Sequence, residues 1–160
     1  VSLIKENVYA PIGIAHVPMM LTTEPTGVDP LPIGGVGLYP TMEDMVKIAR
    51  LLHLEGMHQG TQILHAASVQ RALYRSQAAG LVTHMYRNDF GETRYLMSFF
   101  GLPFGNAGSC HAYIPYMSGA GGNIVAILPN GVIALRFADA DNYHTYPMVD
   151  VASRLMPLCE

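Results

Sequence analysis

The groups in this sequence with chemistry to offer are a serine beside a run of glycines, a few scattered imidazoles and two thiols. The densest collection is Tyr116-Met117-Ser118-Gly119-Ala120-Gly121-Gly122-Asn123. Three glycines within four residues cost too much backbone entropy to sit in a strand for propensity alone. They mark a tight bend between strands, a bulge, or a place where backbone approaches a ligand and walls a cleft. No strand-turn-helix context surrounds them, so they are not a dinucleotide-binding loop. Near the start, Ser2-Leu3-Ile4-Lys5 spells S-x-x-K, a nucleophile spacing that also arises often by chance. Histidines stand at 16, 53, 58, 65, 84, 111 and 144, with no pair at the spacing of a helical metal site. Cys110 and Cys159 match no zinc pattern. They pair only in an oxidising compartment, and two unlinked thiols are the simpler expectation.

Behind the glycines stand two apolar runs, Ile124 to Leu128 and Val132 to Phe137, separated by Pro129-Asn130-Gly131. Asn-Gly suits a primed turn, so the pair reads as a β-hairpin whose nearly continuous apolar arms are covered on two faces. His111 to Met117 reads as a preceding strand, with Pro115 interrupting its pairing. Arg94 to Leu102 reads as one more strand, and residues 76–93 as polar and irregular. Helices are expected over Leu3–Tyr9, closed by Pro11, and after Thr41, whose side chain can cap a first turn carrying Glu43 and Asp44. In that second helix Met45, Ile48, Ala49 and Leu52 fall at helical spacing, and Gly56 ends the run. A shorter helix fits Ala66–Tyr74, and a last one runs from Pro147 with Val149, Ala152 and Met156 on one face. Residues 24–40 form a long Pro- and Gly-rich loop. The order implies an α/β (α+β) sandwich: an antiparallel sheet flanked by helices.

Composition narrows the function. The 160 residues suit one domain, half are hydrophobic and only 13% are charged, so some apolar surface is expected to be covered by something else. The net charge of −3 and the absence of a basic cluster give nucleic-acid binding no electrostatic support. No apolar run reaches the length of a membrane span. The chain begins with Val, which suggests that the gene product starts elsewhere.

Several motifs in order resemble the serine β-lactamase and penicillin-binding-protein-like hydrolases, in their class C, esterase and DD-peptidase branch. Tyr9-Ala-Pro-Ile-Gly-Ile14 is similar to the segment after that family's second motif. Gly34-Gly35 through Met45 resembles its helix entry, and Gly60-Thr-Gln-Ile-Leu64 the stretch before its next short helix. Met117-Ser118-Gly119 stands where the family has Lys or His, then Thr or Ser, then Gly. The chain as a whole, residues 1–160, is thereby similar to the C-terminal part of one such domain.

The resemblance implies an acyl-enzyme hydrolase of esters or amides needing no cofactor. Its partners would be a small-molecule substrate and an N-terminal part or second chain that supplies the S-x-x-K nucleophile and the Y-x-N motif. The family places its nucleophile far upstream of a Pro-Ile-Gly segment, so Ser2 is not expected to be it. Ser118 would present its hydroxyl to substrate, Gly119 would let the backbone come close, and the Ala120 N–H would serve the oxyanion hole. Met117 and Tyr116 would line the substrate, although a strand tyrosine is usually packing. A thioether at Met117 cannot donate a proton or hold a charge, which favours esterases and amide hydrolases over enzymes of carboxylate-bearing substrates. The same feature leaves open a β-lactamase-like binding or scaffold module without catalysis. Bacterial cytoplasm and periplasm both stay open.

Overall fold

The computed structural model describes residues 2–15, 17–31, 33, 38–76, 80–106, 110–139 and 142–158, with Ser2, Asn106 and Cys110 given by backbone alone. The chain opens with α1 (Ser2–Ile4) and a π-helical turn over Lys5–Tyr9. Helix α2 (Met42–His53) begins at Thr41. The Thr41 hydroxyl accepts from the Asp44 N–H at 3.1 Å, and the Asp44 carboxylate accepts from the Thr41 N–H at 3.0 Å. These bonds satisfy two orphan donors of the first turn, and the Thr41 hydroxyl and N–H, both donating to the Asp44 carboxylate, hold its carboxyl below the usual range. A small hairpin, β1 (Met57–His58) and β2 (Thr61–Gln62), leads to α3 (Ala66–Ala72). Strands β3 (Leu81–Asn88), β4 (Gly91–Leu96), β5 (Phe99–Asn106), β6 (Cys110–Gly119), β7 (Asn123–Ile127) and β8 (Ile133–Arg136) then follow, and α4 (Tyr146–Ser153) closes the chain.

The six strands β3 to β8 lie side by side in chain order, every neighbour antiparallel. The architecture is α+β, three layers deep at the β7–β8 end. Strand alternation divides the core. Ile124 and Ala126 of β7 pack with Leu102, Ile114 and Tyr116 against Val149 and Ala152 of α4. Val125 and Ile127 pack on the opposite face with Ala49 of α2, Val69 and Ala72 of α3, and Leu73 just after it. A third cluster joins Ile12, Ile14 and Val17 to Leu51, which fixes the N-terminal segment against α2. The continuous apolar run of β7 is thus a strand buried from both sides, as its sequence implies. Met156 follows α4 exposed rather than sharing its buried face.

Three expectations need correction. Residues 76–93 are not irregular: they hold β3 and the start of β4. The outer strand β3 is exposed along most of its length, so it lacks the apolar alternation that marks a half-buried strand. The expected single strand Arg94–Leu102 is two, joined by Met97-Ser98, both at positive φ (49° and 69°). This is a two-residue hairpin turn built from residues that rarely take that conformation, so no turn signal announces it. Finally, the Asn130-Gly131 turn is not primed. Pro129 locks a negative φ at the first central position. The Gly131 N–H donates to Leu128 O and only Gly131 is left-handed (φ 84°), giving a three-residue loop ending in a glycine bulge.

Candidate functional site

Strand β6 is offset between its neighbours, and the offset makes the site. Its pairing with β5 runs from Cys110 to Tyr116 and stops. Its pairing with β7 begins at Tyr116 and runs to Gly119. Pro115 has no N–H to offer β7, which is why that ladder goes no further. Residues 117–119 therefore overhang the start of β5, which is displaced by the tight Met97-Ser98 turn.

The phase of the ladder says which backbone groups the overhang leaves open. The Leu128 N–H donates to Val132 O, so bonded and non-bonded pairs alternate from that point across β7. Carried to β6, the rule directs the polar groups of Met117 and Gly119 toward β7 and those of Ser118 away from it. Ser118 thus presents N–H and C=O where no β5 residue stands. Ala120, next in the same phase, begins a short turn (Ala120–Gly122) in which Gly121 and Gly122 take φ of 77° and 82°. Asn123 staples this turn: its Nδ2 donates to Ala120 O at 2.7 Å, and its Oδ1 accepts from the Ala138 N–H at 3.0 Å.

Two concavities meet at the overhang. One, of about 600 Å³, is lined by Met20, Ile33, Leu38, Tyr39, Pro40, Met45, Met117, Ser118, Gly119, Ala120, Asn123, Val125 and Phe137. The other, of about 450 Å³ on the opposite side of the strand, is lined by Leu81, Val82, Thr83, Tyr95, Ser98, Phe100 and Ser118. Ser118 belongs to both. Of the residues expected from sequence, Met117, Ser118, Gly119 and Ala120 come together at the first groove, the last three of them exposed. Tyr116 does not join them. It is 6% exposed and its ring stacks on Phe100 at 5.2 Å in the core beneath α4. Alternation puts it on the face opposite Met117, and burial holds its phenol above the usual pKa.

Met20, Ile33, Leu38, Tyr39 and Pro40 supply much of the groove, and all but Met20 fall in the stretch 24–40 that reads from sequence as a loop. The Thr22 N–H donates to Leu31 O, the Ile33 N–H to Met20 O and the Tyr39 N–H to Pro18 O, which brings these described residues together. The Tyr39 hydroxyl donates to the Met20 sulfur at 3.3 Å. Sequence reasoning also passed over Asn123, Val125 and Ser98 as groove residues; an asparagine directly after a glycine run was the one available signal. Among the described lining residues of the larger groove, Tyr39 is the only titratable side chain, and none is a carboxylate, imidazole or amine. The Gly34-Gly35 motif and the Cys110–Cys159 question lie outside the described residues or side chains.

Among the described residues no helix is long and apolar enough to cross a membrane. Comparison with protein-family models, with curated proteins and with solved structures finds no match to this chain.

Proposed function

We propose that the groove beside residues 117–120 is the substrate-holding half of a β-lactamase-related serine hydrolase that acts through an acyl-enzyme on an ester or amide. The observation that carries this reading is the open backbone edge at Ser118, continuing to Ala120, beside an apolar groove. Acyl transfer needs donors fixed where the carbonyl oxygen gains charge, and an unpaired strand edge supplies them without reorganisation. The apolar lining suits an uncharged acyl group. The chemistry still needs a nucleophile and a base. The described lining holds no partner that would activate Ser118, so the nucleophile is supplied by polypeptide beyond these 160 residues or by a second chain.

The same absence of a base, together with Met117, favours a second reading, a β-lactamase-like binding or scaffold module. One experiment separates them. The 160-residue chain alone is expected to leave p-nitrophenyl butyrate unhydrolysed. The complete gene product is expected to carry S-x-x-K and Y-x-N and to turn the ester over. In that product Ala120→Pro, which deletes one backbone donor, is expected to lower kcat by about 10²–10³. A complete product lacking both motifs and inactive on esters and amides overturns the hydrolase reading in favour of the module.

A further inference from the structure

The turn Ala120–Gly122 has little conformation of its own. Gly121 (φ 77°, ψ 5°) and Gly122 (φ 82°) are left-handed, and glycine takes either sign of φ at similar cost. The peptide plane between Ala120 and Gly121 can therefore turn over about its two Cα atoms while the strands on either side stay in place. In a trans peptide the C=O and the N–H point to opposite sides of the chain, so such a flip exchanges the positions of Ala120 O and the Gly121 N–H.

Side chains grip this plane where the ladder does not reach it. The last β6–β7 pair is Gly119↔Asn123, which stops just short of the turn. The Asn123 carboxamide reaches back with its donor to Ala120 O at 2.7 Å and braces its acceptor on the Ala138 N–H at 3.0 Å. It uses both of its ends, which no other side chain of that size offers at neutral pH. Arg136 holds the far end of the turn: Nε donates to Gly122 O at 3.1 Å, and the two terminal nitrogens donate to the carbonyls of His144 and Asn142. The turn also lies close against Ala138, since a Cβ on Gly121 would stand 3.0 Å from Ala138 O.

We infer that Asn123 is a positioning residue that holds the Ala120–Gly121 peptide in one of its two orientations. The flipped orientation reverses a peptide dipole of about 3.5 D one residue from the Ala120 N–H, the donor proposed for the carbonyl oxygen of a bound acyl group. In this role Asn123 acts through Ala120 and touches no substrate. Arg136 braces the same turn at Gly122 and ties it to the segment that enters α4. Only the kinetic consequence rests on the acyl-transfer reading; the choice of peptide orientation does not.

Asn123→Asp in the 160-residue chain tests it, because the variant turns the choice of orientation into a titration. Its protonated carboxyl donates to Ala120 O as the carboxamide does. Its ionised carboxylate repels that oxygen and accepts from the Gly121 N–H, which selects the flip. The Gly121 amide shift in NMR is expected to match wild type near pH 3 and to move away in one step as the carboxyl ionises, between about pH 3 and 7. Arg136 stays charged throughout. Asp139, His144 and Tyr39, the titratable groups around the turn and across the groove, are equally present in wild type titrated in parallel. An order parameter of about 0.85 is expected at the Gly121 amide of wild type, which needs no variant to fold. A wild-type value below about 0.6, or a variant amide that follows wild type at every pH, overturns the inference. In the complete gene product, Asn123→Asp is expected to lower kcat by about tenfold to a hundredfold at neutral pH with KM within about twofold, the gap closing as the carboxyl protonates. A flip that leaves kcat unchanged overturns the positioning role. A complete product inert on esters and amides, beside the expected flip, removes the acyl-transfer reading and leaves the peptide-holding role standing.

Discussion

Strand β6 is flanked by two notches, and the contrast between them carries the functional argument. One lies where β5 has not yet begun, beside Met117 to Ala120. The other, of about 500 Å³, lies where β7 has ended, lined by Leu73, Tyr74, Arg75, His111, Ala112, Tyr113, Pro115, Ile127 and Pro129. In the second the polar side chains are largely committed to the fold. The Tyr74 hydroxyl donates to Phe99 O at 3.1 Å, and Tyr113 accepts from Arg94 Nε at 2.9 Å. Arg75 donates to His53 O at 2.8 Å and meets Glu55 at 3.4 Å. Two prolines wall it, and the Tyr74 and Tyr113 rings, 5.8 Å apart, line it. The first notch carries small residues, Ser118, Gly119 and Ala120, along its β6 edge among larger apolar side chains, with a hydroxyl, an open backbone edge and a stapled glycine turn. Equal concavity does not make equal sites: the difference is which polar groups the fold has left unused.

Substitutions can sharpen the contrast. The largest effect belongs to the β6 residue buried beneath α4. Ile114 is fully buried, so Ile114→Ala is expected to cost about 2–5 kcal/mol in urea unfolding. A smaller loss is expected at the packed notch. A Cβ on Gly101 would stand 2.8 Å from Tyr74 Cζ, so Gly101→Ala must displace the ring, at roughly 1–3 kcal/mol. At the open notch the turn that sets β5 back is strained. Replacing Met97-Ser98 by Asn-Gly is expected to stabilise the chain by about 1 kcal/mol while keeping the register. Ser118→Ala should be the quietest, within about 0.5 kcal/mol in stability, because the exposed hydroxyl holds nothing in the fold.

Alkaline pH reads the packed notch separately. Burial pushes the Tyr74 phenol up to about 12, against 10.0 unperturbed. The unfolded chain therefore loses this proton first. The stabilisation is complete below pH 10 and declines as pH rises from 10 toward 12. Melting temperature is expected to fall across that window, and Tyr74→Phe to flatten the fall. An unchanged slope in Tyr74→Phe would mean that the phenol is solvated and the notch less packed than described.

The parts of this fold legible from sequence were those where one physical signal dominates. Thr41 with Asp44 announces a capped helix, and the apolar arms around Pro129-Asn130-Gly131 announce a buried hairpin. Leu81–Asn88 was not legible, because a strand exposed on both faces has no periodicity to show. Met97-Ser98 was not, because nothing in those two side chains favours positive φ; neighbouring strands impose it. At the site, the glycine run located the turn and the overhang. The facing residues Met20, Ile33, Leu38 and Tyr39 lie in sequence without a period and reached the groove only through tertiary contacts. Tyr116 fell on the wrong side because a motif read as a string ignores that adjacent strand residues face opposite ways.

The most direct test of the central claim is amide exchange residue by residue along β6. The open-edge account predicts slow exchange at Tyr116, Met117 and Gly119, whose N–H groups are paired, and fast exchange at Ser118 between them. Ser118 protected as well as its neighbours would mean that the edge is closed, and the proposed substrate-holding wall would lose its donor.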